Sequence, residues 1–413
     1  MLAFPNLERA EDSELYRGLR PAILPLPNRF DQPLPSAPLK RLLSVLHDAP
    51  FRTLMSRSLR PFGGALLLVA AVQLVTVSPV AATGSITEYP LPANGGWCSC
   101  PASIALGADG NLWFTETGGA LGYGAIGNIS TSGVITQFRL RTYDSIPVGI
   151  APGPAGSQAL WFTEQNSNRI GQITTAGVIS EFPLTLSGSQ PRGIALGPDG
   201  NLWFTQSLAS TTSTTCSHHK CSTTTSTTTG YIGRITTSGS VTEFAVPYAY
   251  SRPFWITSGP DGNLWFTDEG TNSVGKITTT GTVTEFALGT AGSGPHGIAA
   301  GPDGNLWATE EQGNNVARIL TSTGTISEYA APGAPAGIVA GPDNNLWFTQ
   351  VGTSTSPSGV GIMNTSGAQL MSYSLTGSPD PQGITVGPAA DGRIWFTEEF
   401  GGTNGAIGVI TVL

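Results

Sequence analysis

His296 follows Pro295 directly, and Glu310 and Glu311 stand close behind it in the segment PHGIAAGPDGNLWATEE. An imidazole and adjacent carboxylates are the residue types of acid–base chemistry and of cation binding. Further acidic pairs occur as Asp268-Glu269 and Glu398-Glu399. A separate cluster, CSHHKC, holds Cys216, His218, His219 and Cys221, all of them zinc-type ligands. What these side chains do depends on the elements that position them.

The segment around His296 is one copy of a repeat. Tetrapeptides of the LWFT type carry Trp113, Trp161, Trp203, Trp265, Trp307, Trp347 and Trp395, spaced by 48, 42, 62, 42, 40 and 48 residues. Short strands at a period of about 42 residues predict an all-β, seven-bladed β-propeller. Each repeat supplies four strand-length pieces: P-x-G-I-A, then NLWFT after a GPDG turn, then a piece like IGRIT, then one like VTEF. The Asp-Gly turns need positive φ, which Gly adopts freely and which Asn344 tolerates in GPDN. The last repeat ends at IGVITVL, Ile407 to Leu413, without a fourth strand, whereas GSITEYPLP, Gly84 to Pro92, is a spare fourth strand at the other end. The N-terminal strand is therefore expected to complete blade seven and lock the ring.

Loops of a four-stranded meander alternate between the two faces of the ring. The residues leading into P-x-G-I and those following LWFT share one face, close to the axis because their strands are the inner ones. The x residues around the ring are Ala102, Val148, Arg192, Phe254, His296, Ala336 and Gln382. After the tryptophans come Glu116, Glu164, Gln206, Asp268-Glu269, Glu310-Glu311, Gln350 and Glu398-Glu399. The result is a funnel mouth rimmed with carboxylates, one His and one Arg, the usual concave ligand site of such a ring. An acid or amide repeated three residues after nearly every Trp reads as blade chemistry, bonded to its own hairpin or a neighbouring blade. The less repetitive Glu269, Glu311 and Glu399, with Arg192, Phe254 and Gln382, are the candidate ligand-binding residues.

The repeat block P-x-G-I-A-x-G-P-D-G-N-L-W-F-T-E, continued by N-x-I-G-R-I-T-T-x-G-x-I-T-E-F, resembles the streptogramin B (virginiamycin B) lyases over Gly84 to Leu413. That resemblance implies a seven-bladed propeller and a Mg²⁺-assisted elimination that opens a cyclic depsipeptide at its ester. It also implies a metal-binding Glu just before the last-blade Pro, a second Glu four residues after the last-blade Trp, and His at x in the last two blades. Position by position, Asp380 and Glu399 match the metal ligands, whereas Gln382 and Ala336 stand where the family has His. Elimination requires a base to take the proton α to a carbonyl, and Gln has no such capacity. Glu398 and His296 are the candidate catalytic residues that remain. A lone rim histidine such as His296 is more often a hydrogen-bonded structural residue than a base.

Four cysteines fall in two clusters on the mouth face: Cys98 and Cys100 ahead of blade one, and Cys216 and Cys221 in a Ser/Thr-rich insert, 207–230, that explains the 62-residue spacing. An even count in a secreted chain reads as disulfides, with Cys216–Cys221 or bridges between the clusters as alternatives. A zinc site on Cys216, His218, His219 and Cys221 is the competing reading. The Ser/Thr tract itself reads as a flexible, glycosylation-type loop.

Residues 55–82 have the layout of a secretory signal: Arg57 and Arg60, an apolar run from Ala65 to Val77, and Val80 and Ala82 at the small-residue cleavage positions. That run is short for a stable membrane span. Residues 1–54 read as a mis-assigned start or a disordered lead, leaving 83–413 as the propeller. The 27 Asp and Glu against 19 Lys and Arg argue against nucleic-acid partners, whose phosphates call for cations. The chain is thus expected to be a secreted, monomeric propeller with a small-molecule or peptide ligand at its mouth. Three functions remain open: a Mg²⁺-dependent lyase acting on a cyclic ester, a non-catalytic binder of a peptide, glycan or cell-wall component, and a metal-dependent lactone hydrolase.

Overall fold

The Gly and Asn residues of the Asp-x turns adopt the backbone their sequence implies: Gly200 has φ 77° and Asn344 has φ 61°. These turns join the first two strands of each blade in a computed structural model that describes residues 85–92, 99–118, 123–207, 212–217, 220–225, 229–377, 379–399 and 405–412. The expected extension and signal segment, Cys98, His218 and His219 lie outside the described residues. The chain divides into Met1–Leu74 and Val75–Leu413, and every described residue belongs to the second unit.

Seven four-stranded antiparallel sheets make up the ring. Blade three shows the plan: Pro191–Leu196 is innermost, followed outward by Leu202–Gln206, Tyr231–Ile235 and Val241–Ala245. Blade seven is completed from the other end of the chain, where Ile86–Pro90 pairs with Ala406–Thr411 in the register Ile86↔Ile410 and Glu88↔Gly408. Among the described residues no helix is long and apolar enough to cross a membrane.

Three repeated contacts explain why the strands assemble this way. First, each LWFT Trp is fully or almost fully buried and stacks on an aromatic of its own outer strand, as Trp113 does on Phe138 at 5.5 Å between centroids. In blade seven the partner is Tyr89, from the N-terminal strand, at 6.1 Å. Second, the indole Nε1 donates to the turn Asp four residues earlier, as Trp203 does to Asp199 at 3.0 Å. Blade two has Ser157 there, and Trp161 Nε1 is a buried donor with no partner.

Third, a threonine relay joins neighbouring blades. The inner pair of strands slips register between the Pro and the Ile of P-x-G-I, which frees the intervening N–H from the ladder. The LWFT Thr takes up that N–H: Gly193 N donates to Thr205 Oγ1 at 3.0 Å. The same hydroxyl donates onward to the carbonyl of the next blade's x residue, Phe254, at 2.8 Å. A buried backbone group left unpaired is costly, so this relay fixes where each x residue sits.

The Ser/Thr insert differs from the expected loop. Its backbone forms a two-stranded hairpin, Thr212–Ser217 against Lys220–Thr225. Runs of β-branched Thr favour extended backbone over open coil.

Candidate functional site

The x residues converge on a central cavity of about 400 Å³. Ala102, Val148, Arg192, Phe254, His296 and Gln382 line it, together with Glu399 and an apolar wall that includes Ile150, Ile194, Ile338 and Ile384. Ala336 does not: it is fully buried, so the x position of blade six contributes no side chain to the cavity.

One wall is a stack. The Arg192 guanidinium lies 4.7 Å from the Phe254 ring centre, and Phe254 packs on the His296 ring at 4.3 Å between centroids. Burial pushes His296 down to about 4, against a hydrogen bond to the Ala336 carbonyl that works the other way, and the Arg192 charge adds to the lowering. The imidazole is therefore neutral near pH 7. Its Nδ1 is buried without a hydrogen-bond partner among the described residues.

Acidic side chains of blades four, five and seven stand near the cavity, of which Glu399 lines it, and the repeat explains their placement. In each of five blades the N–H of the fourth residue after Trp donates to the carbonyl of the residue before Pro, as Glu399 does to Asp380 at 2.8 Å. The fold thus brings one pair of side-chain positions together per blade. In blade four the pair is Arg252 and Glu269, joined in an ion pair of 3.3 Å. In blade seven the same two positions hold Asp380 and Glu399, two acids. Burial raises Glu399, and the Asp380 charge raises it further. Glu311, from blade five, is also raised, by burial and then by the charges of Asp380 and Glu269. Gln382 donates through Nε2 to Asp380 Oδ1 at 2.7 Å. Among the described residues no set of three metal-ligating side chains converges.

The third residue after each Trp is turned into its blade. Glu116 accepts two bonds from Gln137 at 2.9 and 2.8 Å, and Gln206 donates to Glu243 at 2.9 Å. Glu398 belongs to this buried set. Burial and then the Glu88 charge raise it to about 7, and it does not line the cavity. Glu269 and Glu311 flank the cavity rather than line it. Cys216 pairs in backbone register with Cys221 in the insert hairpin, and Cys100 is buried. The sequence reading missed the reach of His296 toward Ala336, and Trp255, which joins the cavity wall where most blades have Gly. Reading the motif PFWI against PHGI exposes Trp255; nothing in the sequence exposes the His296 contact.

Comparison with known proteins agrees with this architecture. No curated protein matches the chain. A streptogramin B lyase structure is 32% identical, with a TM-score of 0.65, over 79% of this chain and 97% of that one. A catalytically inactive His-to-Ala variant of virginiamycin B lyase from Staphylococcus aureus, solved with quinupristin, is also 32% identical, with a TM-score of 0.65, over 80% of this chain and 100% of its own. The model of the virginiamycin B lyase family matches residues 64–223 and 210–412. With most of its length matched in this way, the chain belongs to the virginiamycin B lyase family.

Proposed function

We propose that this chain is a secreted ligand-binding member of its family, whose central cavity takes a cyclic ester or depsipeptide-like molecule beside a Mg²⁺ ion held by Asp380 and Glu399. The observation that carries the reading is the contrast between two equivalent slots. Blade four fills its slot with Arg252 and Glu269, opposite charges. Blade seven fills it with two acids that repel one another. A hard divalent cation suits two neighbouring carboxylates, and Mg²⁺ is commonly held by one or two of them with water completing its shell. When bound there, the ion would polarise a ligand carbonyl or ester oxygen.

Binding is favoured over turnover by the proton acceptors in reach. Gln382 cannot accept the α-proton of an ester, and its amide is engaged with Asp380. His296 is neutral, but an imidazole held near 4 is a weak base for that step. Glu398 lies off the cavity, inside its blade. Arg192, Phe254 and the isoleucine wall supply apolar and cationic contacts suited to orienting a ligand.

One observation favours a second reading, elimination with His296 as base. Its imidazole reaches from blade five to the Ala336 carbonyl, at the blade-six position where the family uses a histidine. Incubation of the purified chain with a streptogramin B-type depsipeptide and a lactone panel, with Mg²⁺ and with chelator, separates these readings by chromatography and mass detection. The binding reading expects unaltered compounds together with Mg²⁺-dependent retention on the protein. A product of unchanged mass and new retention time would establish elimination instead, and a gain of one water would establish lactone hydrolysis.

A further inference from the structure

We infer that Arg192 forms a carboxylate-binding subsite in the central cavity, and that the ligand it takes is a small organic acid with an apolar body. This rests on the proposed reading of the cavity as a ligand site and adds a carboxylic acid to the ester-type ligands it takes. Arg192 sits at the x position of blade three, in the strand Pro191–Leu196, and lines the cavity. Its guanidinium is stacked on Phe254 at 4.7 Å, which covers one face. A stacked guanidinium still directs its N–H groups outward in its own plane, the geometry that matches a carboxylate.

Among the described residues no acid forms an ion pair with Arg192. The ion pairs of the described residues use Arg234, Arg252 and Arg393, not Arg192. Its Nε is buried with no hydrogen-bond partner. The acid whose charge it feels is Glu269, and Glu269 is engaged by Arg252 at 3.3 Å. Glu269 is thus acted on by two guanidiniums, and its ion pair is with Arg252 rather than Arg192. A cation withdrawn from water is costly unless paired, and a ligand carboxylate is the partner that offsets the cost. The acids Asp380, Glu311 and Glu399 belong to blades five and seven and disfavour an anion there, so a ligand acid is steered toward blade three. Ile150, Ile194 and Ile338 offer its remainder an apolar wall.

The test compares hippurate with its neutral amide, N-benzoylglycinamide, by calorimetry on the full chain, with a streptogramin B-type depsipeptide as third ligand. Hippurate is expected to bind about ten-fold or more tighter than the amide, as a charge-assisted bond predicts. Arg192→Met should erase that difference, and Arg192→Lys should keep part of it. Equal affinities for acid and amide in the unaltered chain overturn the inference whether or not the variants fold. So does a preference that survives in Arg192→Met. If the depsipeptide binds and hippurate does not, the Arg192 subsite falls while the cavity reading stands. If none of the three binds, both fall.

Discussion

Thr397 donates through Oγ1 to the carbonyl of Ala102 at 3.1 Å, joining residues 295 positions apart in sequence. With the bond from Arg393 to the Thr131 carbonyl at 2.9 Å, it helps blade seven hold blade one, and its equivalents between other neighbours include Thr115 to Val148 at 2.8 Å and Thr163 to Arg192 at 2.6 Å. Each of these hydroxyls accepts from its own inner strand and donates to the next, so a Thr→Val change keeps the shape and removes two bonds at once. Thr205→Val is expected to cost about 1–3 kcal/mol, because a buried N–H and a buried carbonyl lose their partner. Urea denaturation measures it, and an unchanged midpoint would show that the relay is not what holds neighbouring blades.

Trp161 is the exception to the indole–aspartate contact. The Ser157 hydroxyl accepts from Ala159 N at 3.2 Å, and the indole Nε1 has no partner. Ser157→Asp restores the residue that stands there in the other blades, and should stabilise the chain by about 1 kcal/mol. A rise in melting temperature is the expected outcome. A fall would mean that blade two has its own arrangement around that nitrogen.

Blade five departs from the repeat in a correlated way. Where the second strand of other blades has Phe and the third has Gly, blade five pairs Ala308 with Ala317. The reason is visible in blade one: a Cβ added to Gly127 would come within 2.2 Å of the Phe114 ring. Trp255 of blade four packs against the cluster that contains both alanines. Ala308→Phe alone should therefore destabilise by about 1–3 kcal/mol through overpacking. Adding Ala317→Gly and Trp255→Gly should return most of that loss. A triple variant no more stable than the single one would show that the three positions are not coupled.

The ring was legible in the sequence because its evidence is periodic. Seven LWFT-type tryptophans set the blade count, and the spare strand piece at Gly84 points to the pairing of Ile86–Pro90 with Ala406–Thr411. The acidic slot was legible only through the repeat: Asp380 and Glu399 are brought together by the backbone relation that also joins Arg252 to Glu269. What stayed hidden depends on side-chain direction. Ala336 is buried and absent from the cavity lining although its position is equivalent to that of Gln382, and His296 leans to a neighbouring blade. The extended hairpin of the insert was masked by a low-complexity composition that suits loop and strand alike.

The buried acids make stability depend on pH. Burial raises Glu164 and Glu310 to about 7, with Glu181 and Glu328 respectively adding to the shift. A folded-state pKa above the unfolded value means the folded chain holds the extra protons. That contribution is complete below the unfolded carboxylate range and is lost as pH rises through about 7. The melting temperature should therefore be higher at pH 5.5 than at pH 8.5. Gln206 and Gln350 already occupy this position in blades three and six, so Glu164→Gln with Glu310→Gln should fold and flatten the slope. A slope unaffected by both substitutions would assign it to other groups.

Blade four provides the control for blade seven. If a cation binds between Asp380 and Glu399, an arginine introduced at 380 should take its place and pair with Glu399 as Arg252 pairs with Glu269. Asp380→Arg is then expected to leave the fold intact, bring Glu399 down toward the ordinary carboxylate range and abolish divalent-ion binding. Asp380→Asn should weaken binding without supplying the replacement charge. Titration with Mn²⁺ as a spectroscopic stand-in for Mg²⁺ reads all three proteins directly. Loss of the ion in both variants, together with a higher melting temperature in the arginine variant than in the asparagine variant, is the result that electrostatics in this slot requires. Retention of Mn²⁺ by Asp380→Arg would move the cation elsewhere on the mouth and leave the acidic pair without a role.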